Sequence, residues 1–146
     1  MNRYPLLIMF FILGISWGLN ALLPRAADFG TSGKIGGSML LFLGATLMLV
    51  AAGLFKLMGT TVDPTKEPNR LVTDGIYRFT RNPMYLGMLL ILIGSNLILN
   101  FAIGFMFTII FFLMMDKIII PKEEDVVEGV FGEVYREYKN HTRRWI

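Results

Sequence analysis

The residues best suited to chemistry lie in one polar, basic and aromatic stretch, 69–87, which separates two long apolar runs. Its arginines can pair with a carboxylate, and its tyrosines can stack on a flat or cationic group. A chain that only crosses a bilayer needs no such segment. Farther along, the acidic pair Glu123 and Glu124 precedes Phe131 and Tyr135. We interpret the polar stretch as the wall of a cofactor pocket at a membrane surface.

The composition indicates a membrane protein. The chain of 146 residues is 54% hydrophobic and only 17% charged, whereas soluble domains contain roughly 25% charged residues. Its mean hydropathy is +0.57. Apolar residues form long blocks without amphipathic spacing, which is typical of membrane-spanning helices. We therefore expect a single membrane-embedded domain over residues 1–146.

Cysteine and histidine content restrict the chemistry further. The chain has no Cys, which excludes disulfides, thiolate metal sites and a cysteine nucleophile. Its single histidine, His141, argues against a histidine-based metal centre. The net charge of +3 suits a surface that lies against anionic headgroups. The sequence lacks the dense basic face that would predict nucleic-acid binding. We expect neither a metal nor a nucleic-acid partner.

The apolar blocks predict an all-α membrane protein with four transmembrane helices, at about 4–23, 35–57, 83–99 and 101–120. Asn100 interrupts the last two blocks, so we expect the third and fourth helices to form a tight hairpin. The alternative is one continuous helix from Met84 to Met115, but it would be much longer than the bilayer is thick.

Two features of the first half of the chain carry further predictions. The first run looks like a signal peptide, but it continues to Leu23 without a clear cleavage site, so we interpret it as an uncleaved span. The cluster from Gly30 to Gly33 predicts a turn. Glycines and alanines in the second run predict a helix at the centre of the bundle, because small residues let backbones approach closely. The alternative is that these glycines are only tolerated on a helix that faces lipid.

Pro121 begins a polar tail, 121–146. Glu123 and Glu124 suit the first turn of a helix, whose N-terminal dipole favours negative charge. Apolar residues then recur at steps of one, three and four, which predicts one amphipathic cytosolic helix. These residues are Val126, Val127, Val130, Phe131, Val134, Tyr135 and Tyr138.

The distribution of Lys and Arg predicts the orientation. With four spans, twelve of the chain's fourteen basic residues lie on the side that holds both termini and the long loop. Arg25 and Lys34 lie on the other side. The positive-inside rule places the basic side in the cytoplasm, and we expect a multi-pass protein of a bacterial inner membrane. The twelve are Arg3, Lys56, Lys66, Arg70, Arg78, Arg81, Lys117, Lys122, Arg136, Lys139, Arg143 and Arg144.

Three motifs occur in order within residues 59–146. The first reads Leu-Val-Thr-x-Gly-x-Tyr-x-x-x-Arg-x-Pro-x-Tyr and runs from Leu71 to Tyr85. The second is the acidic pair, and the third is Phe-Gly-x-x-Tyr-x-x-Tyr, which begins at Phe131. In these motifs the chain resembles the integral-membrane isoprenylcysteine carboxyl methyltransferase and phospholipid N-methyltransferase superfamily.

The resemblance implies an enzyme that uses S-adenosylmethionine to methylate a lipophilic small molecule or a lipid at the cytoplasmic membrane face. Arg81 and Arg143 are the candidates to pair with the cofactor carboxylate, and Glu124, with His141 as an alternative, is the candidate base. Members that methylate isoprenylcysteine usually carry His in place of Asn82. The cofactor-binding residues that the resemblance implies are Asn69, Arg70, Leu71, Val72, Tyr77, Asn82, Pro83, Met84, Tyr85 and Glu123, and we add Gly75 and Tyr135 as further candidates.

Simpler interpretations stand beside this one. Asn82 and Pro83 also suit a plain helix start, and the acidic pair also suits a helix dipole. Two other functions are compatible with the pattern. One is a nicotinamide-dependent membrane reductase related to sterol reductases. The other is a non-enzymatic membrane subunit whose polar loop only organises helices.

Overall fold

The computed structural model describes residues 4–23, 28–59 and 70–146, and the regular secondary structure within them is entirely helical. The elements, in order, are α1 (Tyr4–Leu22), α2 (Gly30–Leu57), a 3₁₀ turn (Gly75–Arg78), α3 (Pro83–Ile98), α4 (Gly104–Met114), a π turn (Met115–Ile119), α5 (Ile120–Phe131) and α6 (Glu133–His141). The predicted all-α class is confirmed.

Among the described residues, three helical runs are long and apolar enough to cross a membrane: Tyr4–Leu22, Gly30–Leu57 and the continuous run Gly104–Phe131. The chain is therefore a membrane protein. At 16 residues, α3 is about 24 Å long, which is shorter than a hydrocarbon core of about 30 Å. The count of four crossings stays a prediction.

The centre of the bundle is α3. Nine of its sixteen residues are buried, and α1, α2 and α4 all contact it. In α2 the buried residues are only Gly33, Gly37, Gly44 and Ala51, of 28. The prediction that the second run lies at the centre is therefore wrong, because only a narrow stripe of small residues is buried and the large side chains of the helix are exposed or half-buried.

Two glycine pairs form that stripe. A β-carbon built on Gly37 would lie 2.6 Å from the carbonyl oxygen of Gly94, and one built on Gly44 would lie 2.5 Å from that of Gly87. The pairs are seven residues apart in both helices, so they recur every two turns. Backbone therefore contacts backbone along the antiparallel pair, as small residues permit in membrane helices.

Asn100 closes the predicted hairpin between α3 and α4. Its φ is 55°, its N–H donates to Leu97 O, and the N–H of Phe101 donates to Asn96 O at 3.0 Å. This is the Schellman arrangement, which commonly ends a helix with Gly or Asn in the left-handed conformation. Asn100 Oδ1 also accepts the Phe29 N–H at 2.8 Å, which ties the hairpin tip to the start of α2.

The start of α2 differs from the prediction. The helix begins at Gly30, five residues before the predicted position 35, and it includes the Gly30 to Gly33 cluster that predicted a turn. Asp28 Oδ1 accepts the Gly30 N–H at 2.9 Å, and the Ser32 hydroxyl donates to Phe29 O. The polar residues around this helix start satisfy its backbone groups, so the helix begins earlier than its apolar run.

The helix of the fourth run does not end at residue 120. It begins at Gly104, three residues later than predicted, and continues to Phe131. Pro121 lies in the first turn of α5, directly after the π turn. Proline has no N–H, and its ring clashes with the carbonyl four residues earlier. A wider turn is one way in which a helix accommodates such an interruption.

The tail departs from the predicted single amphipathic helix. Gly132 has φ 54° and ψ −123°, a conformation that favours glycine, and it separates α5 from α6. The apolar residues consequently divide between surfaces: Tyr135 is buried, whereas Val126, Val130 and Val134 are exposed.

Candidate active site

The polar stretch before α3 is anchored to the end of α2. Val72 and Tyr77 are buried against Ala51, and the Tyr77 ring meets Phe55 edge-on at 5.4 Å between centroids. Gly75, with φ 63°, turns the chain into the short 3₁₀ helix that carries Tyr77. The stretch therefore has its own small core, which fixes the backbone that leads to Arg81.

Tyr85 joins the start of α3 to the start of α5. Its hydroxyl lies 2.9 Å from both carboxylate oxygens of Glu123. Its ring is 2% exposed and belongs to the main core with Met88 and Met115. The ring is thus fixed by packing, and the hydroxyl fixes the Glu123 carboxylate, because hydrogen bonds to charged groups are among the stronger ones.

Glu124 lies between two arginines. Its Oε1 accepts N–H groups of Arg81 at 2.8 and 3.1 Å, and its Oε2 accepts Arg144 Nη2 at 2.6 Å. Arg144 continues to Asp116, whose Oδ1 lies 3.2 Å from Arg144 Nη1. The order Arg81, Glu124, Arg144, Asp116 alternates in charge, so we name these four residues the ion-pair chain. Each buried charge in it has an opposite neighbour, as buried charges require.

The last residues of the chain lie across the polar stretch. The N–H of Arg81 donates to Arg143 O at 3.0 Å, and Thr80 Oγ1 and Asn82 Nδ2 both donate to Arg144 O, at 3.1 and 3.2 Å. The Arg81 guanidinium also donates to the carbonyl of Thr142. We name residues 142–145 the C-terminal strap, because its backbone carbonyls bind the segment that precedes α3.

The helix α6 docks through its tyrosines. The Tyr138 hydroxyl donates to Tyr77 O at 2.6 Å, and burial raises the pKa of Tyr138 to about 12, so it remains a neutral donor at physiological pH. Lys139 lies over the Tyr135 ring, 5.7 Å from its centroid. Glu124 and then Asp116 stabilise the cationic form of Arg144 and raise its pKa above the usual value, although burial opposes them.

The structure brings together five of the fifteen predicted site residues. Arg81, Asn82, Tyr85, Glu123 and Glu124 meet where α3, α5 and the strap converge. Pro83 is the first residue of α3, and Met84 packs against the small core of the polar stretch. Tyr77, Tyr85 and Tyr135 are each at most 5% exposed, so their rings serve packing here.

Several predicted residues lie elsewhere. The side chain of Arg143 is exposed, and its carbonyl makes the contact described above. Arg70 and Gly75 are also exposed, and Leu71 is half-buried. Asn69 lies outside the described residues. Whether any of these residues touches a cofactor stays a prediction.

Sequence reasoning missed Arg144, Asp116 and Trp145. The indole N–H of Trp145 donates to Asp116 Oδ1 at 2.9 Å, so both ends of the strap reach the ion-pair chain. A signal was present for Asp116, because an acid inside an apolar run is costly and usually functional. No pattern distinguished Arg144 from its neighbour Arg143.

An apolar cleft of about 240 Å³ opens beside the strap. It runs from α2 and the 3₁₀ turn to the start of α3. Thr80, which also binds the strap, stands at its edge. The lining residues are Leu47, Ile76, Phe79, Thr80, Leu86, Trp145 and Ile146. The cleft can hold a hydrocarbon group next to the polar site.

Comparison with known proteins identifies the family of this chain. Residues 33–134 match the family described as phospholipid methyltransferase. A 63-residue region, 43% of this chain, is 41% identical to the whole of an uncharacterized protein of Haemophilus influenzae. The protein-S-isoprenylcysteine O-methyltransferase of Schizosaccharomyces pombe is 35% identical over 72 residues, which cover 47% of this chain and 29% of that enzyme.

A third relative is described as a probable protein-S-isoprenylcysteine O-methyltransferase of Oryza sativa subsp. indica. It is 34% identical over 74 residues, 50% of this chain and 38% of its own length. The chain thus covers less than two fifths of the length of either named methyltransferase. No solved structure matches it. The family match covers well over half of the sequence and confirms the predicted superfamily: this chain belongs to the phospholipid methyltransferase family.

Proposed function

We propose that this chain transfers a methyl group from S-adenosylmethionine to a lipophilic acceptor at the cytoplasmic face of a membrane. One observation carries the proposal: the polar stretch before α3 and the acidic pair of α5 are joined by Tyr85–Glu123 and Arg81–Glu124. These segments are about forty residues apart in sequence, and they are the two that the family resemblance assigns to the cofactor.

The chemistry of the donor set fits the cofactor. When bound, S-adenosylmethionine supplies a methyl group on a sulfonium, together with an amino-acid group and ribose hydroxyls. The Glu123 carboxylate, oriented by Tyr85, can accept N–H or O–H groups of such a molecule. We assign binding and orientation to these residues.

Arg81 and Glu124 hold the site together in this proposal. Both oxygens of Glu124 already accept arginine N–H groups, and the Arg81 guanidinium already donates to Glu124 and to the strap carbonyl of Thr142. We therefore assign these two residues to positioning, which matters because an in-line displacement depends on the placement of the reacting groups.

The cleft beside Thr80 is the proposed seat of the acceptor's apolar part. Six of its seven lining residues are hydrophobic, and the seventh, Thr80, donates to the strap at Arg144 O. A site with apolar walls excludes water from the reacting groups, and a dry site favours a displacement in which charge is neutralised. This arrangement supports an acceptor that carries its nucleophile next to a hydrocarbon group.

The proposed topology has four crossings with both termini in the cytoplasm of a bacterial cell. Phe29 contacts the hairpin tip at Asn100, whereas Tyr77 and Tyr138 meet at the opposite end of the bundle. That end carries the basic excess, which supports the orientation. A reporter fused after Ile146 should be active in the cytoplasm, and activity on the other side would refute the topology.

Calorimetric titration of the purified protein with S-adenosylhomocysteine tests the function. We expect saturable binding, weakened about tenfold or more by Glu123→Gln and by Tyr85→Phe, since each removes a hydrogen bond to a charged group. The matched control is Glu133→Gln, because Glu133 is 83% exposed on α6. Binding of NADPH would favour the reductase, and binding of neither would favour a non-enzymatic subunit.

Incubation with labelled S-adenosylmethionine and a membrane lipid extract then identifies the acceptor. Label should enter the lipid fraction with the unmodified protein and the Glu133→Gln control, and it should decrease strongly with Glu123→Gln. Equal labelling by all three proteins would contradict the assignment of Glu123.

A further inference from the structure

Arg144 bridges two carboxylates that lie on one helical run. Its Nη1 donates to Asp116 Oδ1 at 3.2 Å and to Asp116 O at 3.1 Å, and its Nη2 donates to Glu124 Oε2 at 2.6 Å. The Asp116 and Glu124 side chains are 13% and 9% exposed. A planar guanidinium with N–H groups pointing in several directions can make both bonds at once, and a lysine ammonium cannot reproduce that geometry.

The π turn makes the bridge possible. Asp116 and Glu124 are eight residues apart, and in a regular α-helix eight residues rotate by about 800°, which leaves the two side chains about 80° apart around the axis. A π turn takes one residue more than an α turn. The eight residues then correspond to about two full turns, so both carboxylates point to the same side and one arginine reaches both.

The bridge also fixes the position of the strap. Arg144 O accepts Thr80 Oγ1 and Asn82 Nδ2, and the next residue, Trp145, donates its indole N–H to Asp116. Asp116 therefore holds the strap at two consecutive side chains, and the strap holds Asn82. Asp116 also pairs with Lys117 at 2.9 Å, but the Lys117 side chain is 72% exposed.

We propose that Asp116 and Arg144 are positioning residues for cofactor binding and methyl transfer. Arg144, held by Asp116 across the π turn, orients Glu124 and the strap and thereby fixes Arg81, Asn82 and the adjoining Glu123. This inference rests on the proposed function, because it names residues that act on the same site without touching a ligand.

Asp116→Asn and Arg144→Gln, separately and combined, test the proposal in the full chain. We expect each single variant to weaken binding of S-adenosylhomocysteine by about tenfold, the size of one lost hydrogen bond to a charged group. The double variant should lose less than the sum of the two single losses, because residues that share an interaction are not additive. Arg144→Lys should recover only part of the affinity.

Kinetics and fluorescence add readouts that a general loss of stability would not give. The affinity for S-adenosylmethionine and kcat should decrease, and the KM of the lipid acceptor should rise as well, because Trp145 of the strap lines the apolar cleft. The chain has two tryptophans, so Trp17→Phe leaves Trp145 as the reporter of the strap. Its emission should shift to longer wavelength with Arg144→Gln. Lys117→Met is the matched control, because it removes the exposed partner of the same Asp116 carboxylate, and it should change none of these quantities.

The outcomes separate the two proposals. An unmodified chain that binds no S-adenosylhomocysteine overturns the methyltransferase proposal. If the Asp116→Asn variant binds S-adenosylhomocysteine as tightly as the unmodified chain and has the same kcat, the positioning role alone is overturned. Additive losses in the double variant, or equal effects of Lys117→Met and Asp116→Asn, also overturn it. Thermal unfolding of each variant identifies one that fails to fold, and Asp116→Asn, which keeps the side-chain size, then decides.

Discussion

Replacing Gly44 with alanine adds a methyl group at one of the two close contacts between α2 and α3. The new β-carbon would lie 2.5 Å from the carbonyl oxygen of Gly87 and 3.0 Å from Ile91 Cγ1. Ordinary van der Waals contact begins at 3.4 Å, so this contact is too short by about 0.9 Å. The obstacle is backbone inside a packed helix, and the two helices must therefore separate or rotate to accept the methyl group.

The expected cost follows from two opposing contributions. Overpacking a tight contact costs about 1–3 kcal/mol, whereas alanine favours a helix over glycine by about 0.8–1 kcal/mol. Gly36→Ala and Gly53→Ala are matched controls on the same helix, because nothing lies within 4 Å of a β-carbon at either position. The helix-propensity contribution is common to all three variants, so Gly44→Ala should be less stable than the controls by about 1–3 kcal/mol.

Unfolding in detergent micelles, followed by circular dichroism, measures the difference. The same variants should be compared in their affinity for S-adenosylhomocysteine, because Phe55 on α2 supports Tyr77 in the polar stretch. We expect weaker binding for Gly44→Ala and unchanged binding for the controls. If Gly44→Ala and Gly36→Ala have equal free energies of unfolding, the close backbone contact does not exist as described.

Three other variants test separate parts of the structure. Gly132→Ala places a β-carbon on a residue with φ 54° and ψ −123° and should lower the free energy of unfolding by about 1–3 kcal/mol. Gly129→Ala, whose β-carbon meets nothing within 4 Å, should not lower it. Equal unfolding curves for the two variants would contradict the backbone conformation of Gly132. Leu47→Trp fills the apolar cleft and should raise the acceptor's KM several-fold at constant S-adenosylhomocysteine affinity. Leu43→Trp, on an outward-facing position, should change neither quantity. Loss of cofactor binding in Leu47→Trp would show that the acceptor cleft and the cofactor site are not separate. Asn100→Ala loses the hydrogen bond from Phe29 and retains a strained φ of 55°, whereas Asn100→Gly loses only the hydrogen bond. Asn100→Ala should therefore lower the free energy of unfolding by about 1–2 kcal/mol more than Asn100→Gly. The reverse order in thermal unfolding would refute this account of the hairpin.

Local chemistry predicted the hairpin and the proximity of the two polar segments. Asn adopts the left-handed conformation that ends a helix more readily than apolar residues do, and Asn100 adopts it between the two apolar runs. A hairpin of two helices then brings the residues before its first helix close to those after its second. Tyr85 and Glu123 meet for this reason, so the order of the motifs alone was sufficient to place them together.

Other features depended on contacts that a sequence does not contain. The glycines of α2 predicted close packing, but only the partner helix decides that Gly37 and Gly44 are in contact while Gly36 and Gly53 face open space. Pro121 predicted a helix end, yet the preceding π turn lets the helix continue. Arg143 and Arg144 are chemically equivalent in the sequence, and the path of the strap alone directs Arg144 to the carboxylates.

The site is therefore assembled by helix packing and ion pairing in series. The glycine contacts set the distance between α2 and α3, Phe55 on α2 holds Tyr77, and Tyr77 O binds Tyr138 on α6. That helix leads directly into the strap, whose Arg144 joins the carboxylates of α5 and the π turn. A series of this kind transmits a disturbance at the glycines to the charged residues, although the two are far apart in sequence. The ion-pair chain also has two positive and two negative members, and this balance suits a site at the edge of a membrane, where an uncompensated buried charge would be costly.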